Sequence, residues 1–137
     1  MEKKLNTPRI LVVDDHVMVR KGIAELLKTR WDVCGEAGDG SEALDKFAQL
    51  KPDLVLLDLS MPVMDGTAVA RAIRRCSPTT KIVVLSMHDD VAMRMAAKAK
   101  ADEWVSKRAS ATELLKLIEG VLNSASTPTS LKNWVPY

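Results

Sequence analysis

The sequence predicts a doubly wound α/β domain with a five-stranded parallel sheet and helices on both faces. Three observations carry this. Short runs of leucine and β-branched residues recur five times, as ILVV at 10–13, around Cys34, as LVLL at 54–57, as IVVL at 82–85 and as WVS at 104–106. Segments with apolar residues at helical spacing alternate with them, which implies right-handed crossovers and a parallel sheet. The runs end in charged or hydroxyl residues, namely Asp14 and Asp15, Asp58, Ser86 and Lys107. A strand buried on both faces tolerates such residues only at its carboxyl end, where open α/β sheets collect ligands.

The elements follow in order. After the first strand, residues 17–28 place Val19, Ile23, Leu26 and Leu27 at helical spacing, with Asp15 or its neighbour as cap. Residues 31–35 read as a short strand, Gly38-Asp39-Gly40 as a turn, and 41–50 as a helix that Pro52 ends. Beyond Asp58, Met61-Pro62 and Asp65-Gly66 make a loop, 67–76 a helix, and Ser77-Pro78 its breaker. Asp89 or Asp90 starts a helix running to about residue 99. Ser110 and Glu113 have capping-box spacing at the head of the last helix. On that helix Leu114, Leu117, Ile118 and Val121 face the sheet, while Leu115 and Leu122 lie toward another side, a surface suited to a homodimer. Strand order does not follow from the pattern.

With 137 residues, 47% hydrophobic and 28% charged, the chain is long enough for one domain with a true core. That domain spans 1–123, and the serine- and threonine-rich stretch from 124 to 137 reads as a linker-like tail. No apolar run reaches the roughly 18 residues of a membrane span and no signal segment opens the chain, so the expectation is a cytoplasmic protein without membrane contact. A formal charge of +2 gives no overall pull toward nucleic acid, and the Arg71, Arg74 and Arg75 cluster reads as a solvated face. Cys34 and Cys76 match no metal spacing and are expected to be small buried or semi-buried residues.

Singly, Asp14 or Asp15 reads as a helix cap, Asp58 as a loop residue, Ser86 as a strand-end hydroxyl and Lys107 as a surface lysine. Jointly, at successive strand ends, they point to phosphoryl transfer onto a carboxylate. Clustered carboxylates repel one another unless a cation neutralises them, and Mg²⁺ (or Mn²⁺) suits an all-oxygen set. Asp58 then serves as nucleophile, with Lys107 and Ser86 on the phosphoryl oxygens.

ILVVDDH at 10–16, EAGDG at 36–40, PDLVLLDLSMPVMDG at 52–66, Ser86 and Lys107 together resemble the receiver domains of two-component response regulators, over about residues 9–123. Asp14-Asp15-His16 and Arg20-Lys21-Gly22-Ile23 resemble the NarL/FixJ-like subfamily. The resemblance implies a flavodoxin-like (βα)5 fold and a sensor histidine kinase as phosphodonor. It implies Asp58 as acceptor, and Asp14, Asp15, Asp58 and the Ser60 carbonyl at the metal. Ser86 and Trp104 would form the switch, Trp104 standing where relatives carry Tyr or Phe, and Ser60 and His88 would tune signal lifetime. Lys100 and Glu103 stand where Gly is usual, and a left-handed Lys100 would carry a backbone cost. Output would be transcriptional, through a DNA-binding domain not present in this chain, or else that of a stand-alone regulator acting through protein contacts.

Other classes fit less well. Aspartyl-nucleophile phosphatases place two Asp two residues apart after the first strand, whereas Asp14 and Asp15 are adjacent. A flavin carrier needs a hydroxyl-rich loop after strand one, and Gly38-Asp39-Gly40 precedes no Gly-Lys-Ser/Thr. A degenerate receiver would lack the intact acidic set.

Overall fold

The computed structural model describes residues 7–59, 66–87 and 100–124. In chain order these form β1 (Arg9–Val13), α1 (Val17–Leu27), β2 (Asp32–Ala37), α2 (Gly40–Leu50), β3 (Leu54–Asp58), α3 (Gly66–Cys76), β4 (Lys81–Ser86), β5 (Glu103–Ser106) and α4 (Ala111–Asn123). All strand pairs are parallel, in the order β2-β1-β3-β4-β5. The expected helix at 90–99, Ser60, His88 and the tail from 125 onward lie outside the described residues.

Period-two alternation divides the core. Leu11, Val13, Val55, Leu57, Ile82 and Val84 point to one face and meet Ala43, Phe47, Val69, Ala70 and Ile73 of α2 and α3. Ile10, Val12, Leu54, Leu56, Val83 and Leu85 point to the other and meet Leu27, Leu114, Ile118 and Val121 of α1 and α4. Every residue of β3 is buried, as a central strand between two helical layers requires. The chain leaves β1 for β2 on one side, then crosses back to place β3 on the other. Asp14 and Asp58 therefore end neighbouring strands at the switch point of the sheet.

Local chemistry sets the helix ends. Asp39 caps α2 by accepting from the Glu42 N–H, and Glu42 Oε1 returns to the Gly38 N–H at 2.7 Å. Ser110 and Glu113 form the expected capping box, with both reciprocal bonds present. The N-cap of α1 is His16, the neighbour of Asp15 as expected, but it makes no side-chain cap bond. The Asp14 carboxylate takes the His16 N–H instead, at 2.9 Å, so neither Asp15 nor His16 caps the helix through its side chain.

Three further expectations are corrected, and one apolar position of α1 proves exposed. Val19 is 42% exposed, beside exposed Val17 and Met18. The first turn of α1 begins at the carboxyl edge of the sheet, and only Ala24 and Leu27 reach full burial. Leu115 and Leu122 pack partly against the core instead of forming a separate apolar face. Cys34 is semi-buried, its thiol donating to the Ile10 carbonyl, but Cys76 is exposed. Arg71 and Arg75 are solvated, whereas Arg74 is a tie. Its guanidinium donates to the carbonyls of Thr80 and Lys100 and to Asp102 Oδ2 at 2.9 Å. Asp102 Oδ2 also accepts from the Ile82 N–H at 2.7 Å. Lys100 is left-handed, with φ 59°, as is Lys51 at the end of α2, with φ 49°.

Candidate functional site

β1 delivers Asp14 and Asp15 and β3 delivers Asp58 to one crevice. The chain after β5 brings Lys107 between two of them. The Lys107 Nζ lies 3.2 Å from Asp58 Oδ2 and 3.3 Å from Asp14 Oδ2. Both carboxylates are fully buried, and the lysine side chain is 12% exposed. Burial alone would lower the Lys107 ammonium, but the Asp58 and Asp14 carboxylates outweigh it and hold its pKa above the ordinary lysine value. Lys107 is fixed by backbone as well, its N–H donating to the Ser86 carbonyl at 2.9 Å. Ser86 ends β4 almost completely buried and lies in register with Ser106. Trp104, three residues before Lys107, packs partly against the α2–α3 face of the core.

Two supports escape sequence reasoning. Arg20, on the first turns of α1, donates through Nη1 to the Asp14 carbonyl at 2.9 Å and through Nε to Glu36 Oε1 at 3.1 Å. Burial would raise the Glu36 carboxyl, but hydrogen bonds from Arg20 and Lys21 bring it below the ordinary value. A guanidinium thus pins the peptide between the two site carboxylates. The basic residues between the apolar positions of α1 signal only a polar face. The second support is Gly66, where a Cβ would lie 2.7 Å from the Asp58 carbonyl and 2.8 Å from Leu59 Cα. Only glycine lets α3 approach the end of β3 this closely. The signal was present as Asp65-Gly66, which reads as an ordinary turn.

A divalent cation fits this donor set. Asp14, Asp15, His16 and Asp58 each offer a ligand atom, and these atoms lie within 4.8 Å of one another. Asp15 Oδ1 is buried and accepts no hydrogen bond among the described residues, while buried Asp14 Oδ2 faces the Lys107 ammonium at 3.3 Å. Among the described residues, three carboxylates with one ammonium leave an excess of negative charge that a divalent ion would offset.

A five-stranded parallel sheet with an acidic crevice and a largely buried lysine at its switch point defines the flavodoxin-like class of α/β proteins. Residues 10–119 match the response regulator receiver domain, and the chain belongs to that family. It is 36% identical over 121 residues to the response regulator protein VraR of Staphylococcus saprophyticus, an alignment covering 86% of this chain and 58% of that protein. The chain thus spans little more than half the length of that relative. Among solved structures it resembles a LuxR-family two-component response regulator from an Aurantimonas species, with TM-score 0.80, 33% identity and coverage of 85% and 86% of the two chains. It also resembles the receiver domain of the putative response regulator NarL from Mycobacterium tuberculosis, with TM-score 0.78, 32% identity and coverage of 87% and 98%. No described helix is long and apolar enough to cross a membrane.

Proposed function

We propose that this receiver domain accepts a phosphoryl group on Asp58 from a sensor histidine kinase and passes the change to a transcriptional output. The observation that carries the reading is the buried Asp14–Lys107–Asp58 arrangement. In the transfer, an Asp58 carboxylate oxygen forms a P–O bond as the donor's P–N bond breaks. The kinase imidazole leaves with the electron pair and recovers a proton from solvent. Lys107 lies within reach of the Asp58 carboxylate and would neutralise charge on the transferred group. Asp14, Asp15, Asp58 and the Ser60 carbonyl would hold Mg²⁺ or Mn²⁺, which supplies charge neutralisation for phosphoryl oxygens.

The new phosphoryl oxygens would draw the Ser86 hydroxyl and shift populations on the face that includes Trp104. Ser60 and His88 would tune the rate at which water removes the group. The chemistry is limited to the domain's own phosphorylation and dephosphorylation, with no separate substrate. The setting is cytoplasmic, and the chain itself contacts neither DNA nor membrane. Output would pass through a DNA-binding domain outside this chain.

The test is incubation with Mg²⁺ and a small phosphodonor, read by intact mass. Wild type should gain one phosphate and Asp58→Asn none. Failure of wild type to gain mass with any donor and metal would refute the assignment.

A further inference from the structure

We propose that His16 is an additional protein ligand at the divalent site, and that its imidazole extends the accepted ions from Mg²⁺ to nitrogen-seeking first-row cations of the nickel and zinc class. This rests on the reading of Asp14, Asp15 and Asp58 as a metal site. His16 Nδ1 lies 3.3 Å from Asp15 Oδ1 and 3.6 Å from Asp14 Oδ1. Donor atoms from all four residues fall within 4.8 Å of one another. Donors sharing one ion at about 2.0–2.2 Å are separated by at most about 4.4 Å, so a small torsional adjustment brings the four onto one ion.

The local structure leaves the ring available. His16 occupies the N-cap of α1, where Ser, Thr, Asp or Asn would hydrogen-bond the first turn, yet its side chain makes no cap bond. Its backbone is anchored beside the carboxylates, the N–H donating to Asp14 Oδ1 at 2.9 Å. The side chain is 67% exposed, so the ring can turn without disturbing packing. Carboxylates and water suit Mg²⁺, whereas a neutral imidazole adds affinity for Ni²⁺, Zn²⁺ and Co²⁺. Asp15 Oδ1 is buried, accepts no hydrogen bond among the described residues, and lies 3.3 Å from the ring nitrogen.

Calorimetric titration of the untagged chain with Mg²⁺ alone and Ni²⁺ alone tests the assignment, using wild type, His16→Gln and Asp15→Asn. Ni²⁺ affinity should fall about tenfold or more in His16→Gln, while Mg²⁺ affinity changes by less than about twofold. Asp15→Asn should weaken both ions. Bound Ni²⁺ should also broaden the His16 ring resonances beyond detection in NMR spectra of wild type. If Mg²⁺ binds through Asp15 but His16→Gln leaves Ni²⁺ affinity unchanged, His16 is a carboxylate neighbour only and the proposal falls. If wild type binds neither ion, the metal-site reading falls with it.

Discussion

Lys107 stands between two fully buried carboxylates, and its removal tests how far the crevice depends on one ammonium. Lys107→Met should destabilise the protein by about 3 kcal/mol in chelator, because the Asp14 and Asp58 charges lose their closest cation. Urea denaturation with and without Mg²⁺ measures this, and part of the loss should return with the ion. A loss that Mg²⁺ leaves untouched would point to packing instead of charge. Lys100 tests the opposite sign. Its left-handed backbone, φ 59°, carries a steric cost that glycine avoids, so Lys100→Gly should stabilise by about 0.5 kcal/mol after the added freedom of the unfolded chain is counted. The strand-end Asp14, Asp15, Asp58 and Lys107 were readable as a set because a polar residue closing an apolar strand is conspicuous. The supporting Arg20 was not, since a guanidinium's partner 16 residues away along the chain leaves no periodic trace.

At the scale of elements, the last helix depends on its cap and the third on its approach. Ser110→Ala removes the acceptor for the Glu113 N–H and should cost about 1 kcal/mol, read from the urea midpoint. Gly66→Ala should cost about 1–3 kcal/mol, because the new methyl meets backbone at the end of β3 and not a yielding side chain. It should also slow the proposed phosphorylation of Asp58, whose carbonyl is the nearest contact. Normal stability and normal phosphorylation in this variant would refute the close-packing argument. The strands and the Ser110 capping box were legible because period-two burial and S-x-x-E spacing are local. The exposure of Val19 was not, because helical spacing does not reveal where a helix runs past the edge of its sheet.

For the molecule as a whole, stability should depend on pH and, on the proposed metal-site reading, on divalent ion. Glu42 is held below its ordinary value first by the Gly38 N–H, and Glu36 by Arg20 and Lys21 against its own burial. Depressed carboxyls contribute stability above their unfolded value of 4.5, and that contribution is lost as pH falls through the folded values. Lys107 behaves oppositely: raised above 10.5, it contributes fully below that pH and loses its share only as pH climbs through the folded value. Unfolding midpoints should therefore decline on the acid side of pH 4.5, less steeply in Glu36→Gln, and Lys107 should cause no decline between pH 7 and 9. Mg²⁺ at a hundred times its Kd should add about 2.7 kcal/mol, an increment that Asp15→Asn reduces. Strand order, the one global property that brings Asp14 beside Asp58, was beyond the pattern of the sequence because runs of similar apolar content do not specify their neighbours.

The Arg74 tie has a mechanical meaning. One guanidinium grips the Lys100 carbonyl, the Asp102 carboxylate and the turn before β4, and that same carboxylate holds the Ile82 N–H near the start of β4. The entry to β5 is thereby clamped to α3 and β4 at the end of the sheet opposite the acidic crevice. The segment entering β5 is thus fixed at Arg74, which would serve as a fulcrum for any movement at the Ser86 and Lys107 end. Displacement at the crevice end would pivot there and not slide, so Arg74→Gln should loosen the fulcrum, raising amide exchange at Ile82 and Asp102 while leaving exchange at Asp14 unchanged.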